Sequence, residues 1–325
     1  MSLSGNPFPS SLIEGIEILA LKLGNLKKEE SLLVITDFTT FKMGDYFEKI
    51  LKKKYAVKHL SIKPLKIHGQ HINDQVSKIM NSSDLIIGLT KNSMAHSPER
   101  IESEKFGARY LSLPDYSDHL LEHRALRVDF KKIAKNAIHL AHKLSKTNHI
   151  SIQTPLGTNL ELTVEGRKGN FAPGFVNSEI KLGSPPDIEC NIAPIENKSN
   201  GKIIVDGSIP HSNIGLLNSK ITLSIDNGKL IDISGENVVV EKIKNLINFE
   251  SDDVFLGEFG IGLNNKSNLC GNMLLDEGCF GTIHFGFGSN LALGGKINSN
   301  FHLDFVLNST QCIFDEEKIK YKNFI

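Results

Sequence analysis

Short apolar runs alternate with helix-patterned segments through the first 148 residues of the chain. Two of these runs, Ser31–Ile35 and Asp84–Leu89, are typical of strands that are buried on both faces. Apolar residues recur at helical spacing over residues 11–24, 43–54, 71–81 and 100–106. This alternation predicts βαβ units and a doubly wound parallel sheet. No Gly-x-Gly-x-x-Gly pattern follows the first strand, so we do not expect a dinucleotide cofactor.

The character of the sequence changes after His149, just beyond a clear helix pattern over residues 129–146. Glycine and asparagine become frequent, and β-patterned runs occupy residues 160–164, 202–205, 220–225 and 229–233. Asn227-Gly228 separates the last two runs and predicts a hairpin, and one helix is expected at about 237–248. We therefore predict a Rossmann-like α/β domain over residues 1–148 and an α+β, strand-rich C-terminal domain over 149–325.

The charge balance excludes several classes of partner. Lysine plus arginine number 37 and aspartate plus glutamate also number 37, so no basic field is available to attract nucleic acid. No window approaches the roughly 18 apolar residues of a membrane span, and the first residues lack a signal-peptide pattern. The four cysteines lack Cys-x-x-Cys spacing and are expected to be reduced. We expect a cytoplasmic protein without nucleic-acid or membrane partners.

Three segments in the last third of the chain carry carboxylate and imidazole side chains in apolar or glycine-rich surroundings. They contain Glu258, then Asp276-Glu277 with His284, and finally His302-Leu-Asp304. In a strand, residues two apart point to the same face and lie about 6.5–7 Å apart, so His302 and Asp304 can grip one cation. Each segment alone would more often be structural, but unpaired charges in such surroundings would be costly. Together the segments predict a site for zinc, cobalt, manganese or ferrous iron.

An ordered series of segments extends this pattern back along the chain. Its members are Ala95–Ser97, Gly107–Pro114, Pro155–Asn159, Glu165–Gly169, Ile188–Pro194, Asn200–Gly207, Leu256–Glu258, Asp276–Glu277 with His284–Gly288, and His302–Phe305. This series resembles the M29 metallo-aminopeptidases. The resemblance implies a homodimer that releases N-terminal residues from short peptides through two divalent ions of zinc, cobalt or manganese. It implies the ligands Glu189, Glu258, His284, His302 and Asp304, with Glu189 or Glu258 as the catalytic proton carrier.

Two features leave alternatives open. Leu291 occupies the position of the catalytic tyrosine of those aminopeptidases. The segments Gly294–Lys296 and His302–Asp304 also resemble the 2,5-dihydroxypyridine dioxygenases, which hold one ferrous ion with two histidines and one carboxylate and have a histidine at the position of Glu258. We predict the hydrolase because Glu258, Glu189 and His284 are all present. A ferrous ring-cleaving dioxygenase and a non-catalytic metal-binding relative are the alternatives.

The sequence also offers two cations for stabilising a negative intermediate. Arg167 and Lys296 are the nearest candidates along the chain, although a packing or surface role is expected for each.

Overall fold

The computed structural model describes residues 8–309 and 311–324. These residues form two compact units. The first runs up to Arg127 and includes Gly174–Pro185, and the second comprises Val128–Pro173 and the chain from Pro186 onward. The first boundary between the units, after Arg127, lies earlier in the chain than the boundary predicted near residue 148. The reason is that the helix Phe130–Leu144 packs on strands Asn170–Ala172 and Glu189–Ile192 of the second unit.

The first unit is built on a parallel sheet. Among its described residues the strands lie in the order β2-β1-β3-β4-β8, and every neighbouring pair is parallel. The strands are β1 (Ser31–Thr36), β2 (Ala56–Ser61), β3 (Leu85–Leu89), β4 (Arg109–Ser112) and β8 (Leu182–Gly183). The central strands β1 and β3 are buried almost throughout, while β2 at the edge is only partly buried. The predicted parallel sheet is confirmed, because uninterrupted apolar runs suit strands covered on both faces.

Helices precede, connect and follow strands β1 to β4, and helical segments occur near residues 11–24, 43–54, 71–81 and 100–106 as predicted. They are α1 (Ser10–Glu17), which continues as a π-helix over Ile18–Leu23, α2 (Phe41–Leu51), α3 (Asp74–Asn81), α4 (Pro98–Lys105), α5 (Asp118–Glu122) and a 3₁₀ turn over Arg124–Arg127. Two of these helices, α3 and α4, begin at residues whose side chains cap the helix N-terminus. The Asn73 side chain accepts a hydrogen bond from the Val76 amide, and the Ser97 hydroxyl accepts one from the Arg100 amide.

The second unit is rich in antiparallel strands. Its described residues form two seven-stranded sheets, ordered β14-β13-β10-β6-β5-β18-β19 and β12-β11-β17-β16-β15-β9-β7. The strands are β5 (His149–Gln153), β6 (Asn159–Thr163), β7 (Asn170–Ala172), β9 (Glu189–Ile192), β10 (Asn200–Val205), β11 (Ser208–Ile209), β12 (Gly215–Leu216), β13 (Ile221–Asp226), β14 (Lys229–Ser234), β15 (Leu256–Gly262), β16 (Thr282–Gly288), β17 (His302–Asn308), β18 (Gln311–Phe314) and β19 (Glu317–Lys320). The predicted hairpin at Asn227-Gly228 is confirmed, since both residues have positive φ as its turn requires.

One long helix and several shorter helical segments complete the second unit. They are α6 (Phe130–Leu144), α7 (Asn237–Leu246), α8 (Met273–Asp276), and 3₁₀ turns over Asp252–Val254, Leu291–Leu293 and Tyr321–Phe324. The strand-rich α+β character predicted for this part of the chain is confirmed. Over the described residues, no helix combines the length and the apolar character needed to cross a membrane.

Candidate metal centre

The candidate site lies on one face of the sheet that contains β9, β15, β16 and β17. In the antiparallel register Glu258 of β15 and Asp304 of β17 both lie opposite Gly286 of β16. His284 lies opposite Gly260, two residues further along β15. Residues opposite one another, and residues two apart along a strand, share a face of the sheet. The register therefore gathers side chains that are far apart in sequence onto one surface.

Glycines make this convergence sterically possible. A Cβ atom added at Gly260 would lie 2.0 Å from Nε2 of His284. A Cβ atom added at Gly286 would lie 2.7 Å from the ring of His302 and 2.8 Å from Oδ1 of Asp304. The side chains of His284, His302 and Asp304 thus lie across a neighbouring strand at a position that has no side chain of its own.

One group of possible metal ligands comprises Glu258, His302 and Asp304. Nε2 of His302 lies 3.3 Å from Oε2 of Glu258 and 3.2 Å from Oδ1 of Asp304. One donor atom from each residue falls within 4.8 Å of the others. About a third of the His302 side chain, 34%, is exposed, whereas the two carboxylates are nearly buried. A cation held here would be reachable from solvent on the His302 side.

A second group comprises Glu189, Glu258 and His284. Nε2 of His284 lies 3.2 Å from Oε2 of Glu189 and 3.6 Å from Oε1 of Glu258. Glu258 belongs to both groups, with Oε1 facing His284 and Oε2 facing His302. The structure thus brings together all of the residues that the sequence nominated as ligands. Their binding of metal remains a prediction.

The charged groups in this cluster strongly shift one another's pKa values. Burial raises the pKa of Glu189 to about 7, and the nearby Glu258 carboxylate adds to this effect. Burial also acts to raise the pKa of Glu258, but hydrogen bonds from His284 and His302 outweigh it and lower that pKa to about 2. Burial acts to lower the pKa of His284, yet Glu189 and Glu258 raise it to about 9. Carboxylates that hold protons on imidazoles in this way can exchange those protons for a divalent cation, because metal ligands must be deprotonated.

Three further polar residues surround the cluster and were not nominated as ligands. Burial and then the charge of Glu189 raise the pKa of Asp187 well above its ordinary value. Burial and then the charge of Asp304 do the same for Glu277. Asn191 donates a hydrogen bond of 2.8 Å to Oε1 of Glu189. Asp187 could have been recognised from the sequence, because Asp187-x-Glu189 has the same two-residue spacing of donors as His302-x-Asp304.

Several atoms in this region lack ordinary partners. Within the described part of the chain, Oδ1 of Asp187, Oδ1 of Asn191 and Oε1 of Glu277 are buried and have no hydrogen-bond donor. Buried oxygens without partners are costly. A cation, or water bound to one, would offset that cost, and the mixed imidazole and carboxylate donors suit first-row divalent metals. The residues present therefore fit a metal centre.

The two cationic residues considered for stabilising a negative intermediate, Arg167 and Lys296, make other contacts in the structure. Arg167 donates to Oε2 of Glu196 at 2.6 Å and to the carbonyl of Gly294 at 2.6 Å. The Lys296 side chain is exposed, and its backbone amide donates to Oε1 of Glu196 at 2.7 Å. Arg167 thus has the packing role that was expected from the sequence, and Leu291 is an exposed residue in a 3₁₀ turn.

Comparison with known proteins supports one of the predicted families over the other. The sequence model of the NicX family, 2,5-dihydroxypyridine 5,6-dioxygenase, matches residues 45–322. The fold is similar to that of the 2,5-dihydroxypyridine dioxygenase from Pseudomonas putida KT2440, with a TM-score of 0.76, 17% identity and coverage of 96% of each chain. It is also similar to AmpT from Thermus thermophilus, with a TM-score of 0.64, 13% identity and coverage of 93% of this chain and 94% of that one. No curated protein sequence matches the chain.

These findings correct the predicted enzyme class. The prediction of a metallo-aminopeptidase, a hydrolase, is wrong, because the family model that spans most of the chain is that of an oxidoreductase. The resemblance to the M29 enzymes reflects a shared fold, as the similarity to AmpT shows. The chain belongs to the 2,5-dihydroxypyridine 5,6-dioxygenase family.

Proposed function

We propose that this protein is a ring-cleaving dioxygenase that acts on a dihydroxylated pyridine, or on a ring of the same chemistry, with ferrous iron at Glu258, His302 and Asp304. The observation that carries the proposal is the family match over residues 45–322, which spans every residue of the candidate centre. When bound, ferrous iron would supply the redox chemistry that lets molecular oxygen react with an electron-rich ring.

The donor set supports iron with one departure from the common pattern. Non-haem ferrous oxygenases use two histidines and one carboxylate. The group at His302 offers one imidazole and two carboxylates. His284 supplies a second imidazole 3.6 Å from Oε1 of Glu258, on the other side of the shared carboxylate. Glu258 in this position gives the centre more negative charge than the two-histidine pattern has.

The extra ligands also support a second cation. Glu189, Glu258 and His284 form a complete three-residue group, and Glu258 presents a separate oxygen to each group. We include in the proposal that the protein can hold two divalent ions that share Glu258. Metal analysis of the purified protein by mass spectrometry tests this. Two equivalents are expected, and a ratio of one that persists in excess metal would contradict the second ion.

When iron alone is bound and the second position holds no ion, Glu189 is the candidate for moving a proton during the reaction. It lies outside the group proposed for iron, and Asn191 fixes Oε1 so that Oε2 points toward His284. A ring hydroxyl must lose its proton when the ring is activated, and a carboxylate fixed in this way can accept it. His302 is the most exposed ligand and would face the entering ring.

The direct test measures oxygen uptake. Protein purified without oxygen and loaded with ferrous iron should consume one molecule of oxygen for each 2,5-dihydroxypyridine lost, followed by an oxygen electrode and by the ring absorbance. Asp304→Asn should remove the activity, because the remaining ligands no longer balance the charge of the ion. His142→Ala is the matched control, since His142 is an exposed histidine on α6. Full iron loading without oxygen uptake on any dihydroxylated ring would reject the proposal.

A further inference from the structure

A connecting segment leads directly into the proposed metal centre. It comprises residues 289–301 and joins the end of β16 to His302, the first residue of β17. Its first residue, Ser289, accepts a hydrogen bond at its carbonyl oxygen from Nδ1 of His302, at 3.1 Å. A carbonyl oxygen can only accept, so Nδ1 carries a proton, and Nε2 faces Glu258 and Asp304. The position of Ser289 thus decides which nitrogen of His302 is presented to a metal.

Asn290 fixes the segment immediately beyond Ser289. Its side-chain oxygen accepts from the Ile297 amide at 2.8 Å, and its backbone carbonyl accepts from the Gly295 amide at 2.9 Å. The side chain is almost fully buried. These bonds fold residues 290–297 into a closed turn. Ser289 immediately precedes the turn, and its amide also donates to the Phe301 carbonyl at 2.8 Å.

A partly buried ion pair contacts that turn from the opposite side. Glu196 accepts from the Lys296 amide through Oε1 and from Arg167 through Oε2. The second guanidinium nitrogen of Arg167 donates to the Gly294 carbonyl at 2.6 Å. The side chains of Arg167 and Glu196 are only 11% and 20% exposed. The pair therefore hydrogen-bonds to the turn at two points, the Gly294 carbonyl and the Lys296 amide, which lie on opposite sides of Gly295.

We infer that Arg167 and Glu196 are positioning residues for the metal centre. By holding the turn 290–297 they fix the Ser289 carbonyl, which selects the tautomer and ring orientation of His302. Neither residue touches the proposed iron. The inference rests on the metal site of the proposed function and not on the identity of the ring that is cleaved.

The chain provides a matched control for this inference. In the first unit Arg109 pairs with Glu30 at 2.6 Å, with side chains 9% and 20% exposed. The distance and the burial nearly equal those of Arg167 and Glu196. Glu30→Gln and Glu196→Gln should therefore lower the melting temperature to a similar extent. Only Glu196→Gln should also change metal binding at the candidate centre.

The experiment measures metal binding without substrate. Cobalt affinity is obtained by competition with a chelator, and the tautomer of His302 by long-range nitrogen NMR of the zinc-loaded protein. Glu196→Gln should weaken cobalt binding about 10- to 100-fold, the range found when residues behind metal ligands are replaced. It should also disturb the Nδ1-protonated signal of His302, whereas Glu30→Gln should leave both unchanged.

A second pair of variants keeps the test decisive if Glu196→Gln folds poorly. Arg167→Lys retains the charge and one donor, so it should recover part of the cobalt affinity that Arg167→Met loses. Equal affinities in Arg167→Lys and Arg167→Met, or a wild-type His302 signal in Glu196→Gln, would overturn the positioning role. Because no substrate is used, a failed ring-cleavage assay with weakened cobalt binding would reject the proposed reaction and retain the positioning role.

Discussion

Individual glycines determine how closely the ligand side chains approach one another. Gly260 and Gly286 lie in strand interiors, where glycine ordinarily weakens a sheet. Here each leaves the space that an imidazole or a carboxylate from the next strand occupies. At the residue scale, the glycine-rich composition of β15 and β16 is part of the site.

Gly260→Ala should damage the centre directly. The added Cβ would lie 2.0 Å from Nε2 of His284, so the ring must turn away, at a cost of about 1–3 kcal/mol for an overpacked interior. We expect weaker binding of the cation held by Glu189, Glu258 and His284, measured by calorimetric titration with manganese.

Gly281→Ala separates this effect from general destabilisation. Gly281 has a positive φ of 90° but open space around its missing side chain. Its replacement should lower the free energy of unfolding by about 1–2 kcal/mol and leave manganese affinity unchanged. Equal manganese affinities in the Gly260 and Gly281 variants would show that His284 tolerates the added methyl group.

At the scale of elements, the parallel sheet of the first unit is tied to its preceding turn by one forked ion pair. Arg109, at the start of β4, donates from both terminal nitrogens to the two oxygens of Glu30 and from Nε to the Gly24 carbonyl. Glu30 immediately precedes β1. The pair therefore connects two strands that are separated by β3 in the sheet.

This ion pair predicts a pH-dependent contribution to stability. Burial acts to raise the pKa of Glu30, but hydrogen bonds from Arg109 and the Lys27 amide outweigh it and lower the pKa below its ordinary value of 4.5. A carboxylate whose pKa is lower in the folded state stabilises the fold above the unfolded pKa, and this contribution is lost as the pH falls through the folded value. Glu30→Gln should lower the free energy of unfolding near pH 7 by about 1–3 kcal/mol, because Arg109 loses its charged partner.

The test is denaturant unfolding of wild type and Glu30→Gln at several pH values. The difference between the two proteins should shrink as the pH falls below 4.5. A difference that stays constant down to acid pH would exclude ionised Glu30 as the source of the stabilisation.

At the scale of the whole molecule, the described residues form two units with different sheets, and every candidate ligand lies in the second. The candidate ligands come from β9, β15, β16 and β17, so the two proposed cations together would join four strands. The homodimer expected from the M29 resemblance stays a prediction, which sedimentation velocity would test.

Metal binding should stabilise one unit selectively. A ligand at 100 times its dissociation constant stabilises the folded state by about 2.7 kcal/mol. Hydrogen exchange measured by mass spectrometry should show slower exchange in β9 and β15–β17 when manganese is added, and faster exchange when a chelator removes it. Peptides from β1 and β3 provide the internal control. Equal protection in both units would mean that the two unfold as one.

The sequence by itself determined the local structure and the chemistry of the donors. The apolar runs at Ser31–Ile35 and Asp84–Leu89 specified buried strands, and Asn227-Gly228 specified a hairpin, because each depends on residues that are neighbours in the chain. His302-x-Asp304 specified two donors on one face for the same reason.

The tertiary structure alone decided which distant elements meet. The two-residue strand β8 joins the parallel sheet, and α6 packs with the second unit, although nothing in their local sequences specifies either partner. The register that places Glu258 and Asp304 on either side of Gly286 likewise depends on how whole strand faces pack. Asp187 and Glu277 join the centre in this way, since their burial beside it follows from long-range pairing and not from local pattern. Local periodicity is set by neighbouring residues, whereas register and burial are set by the free energy of packing the complete sheet.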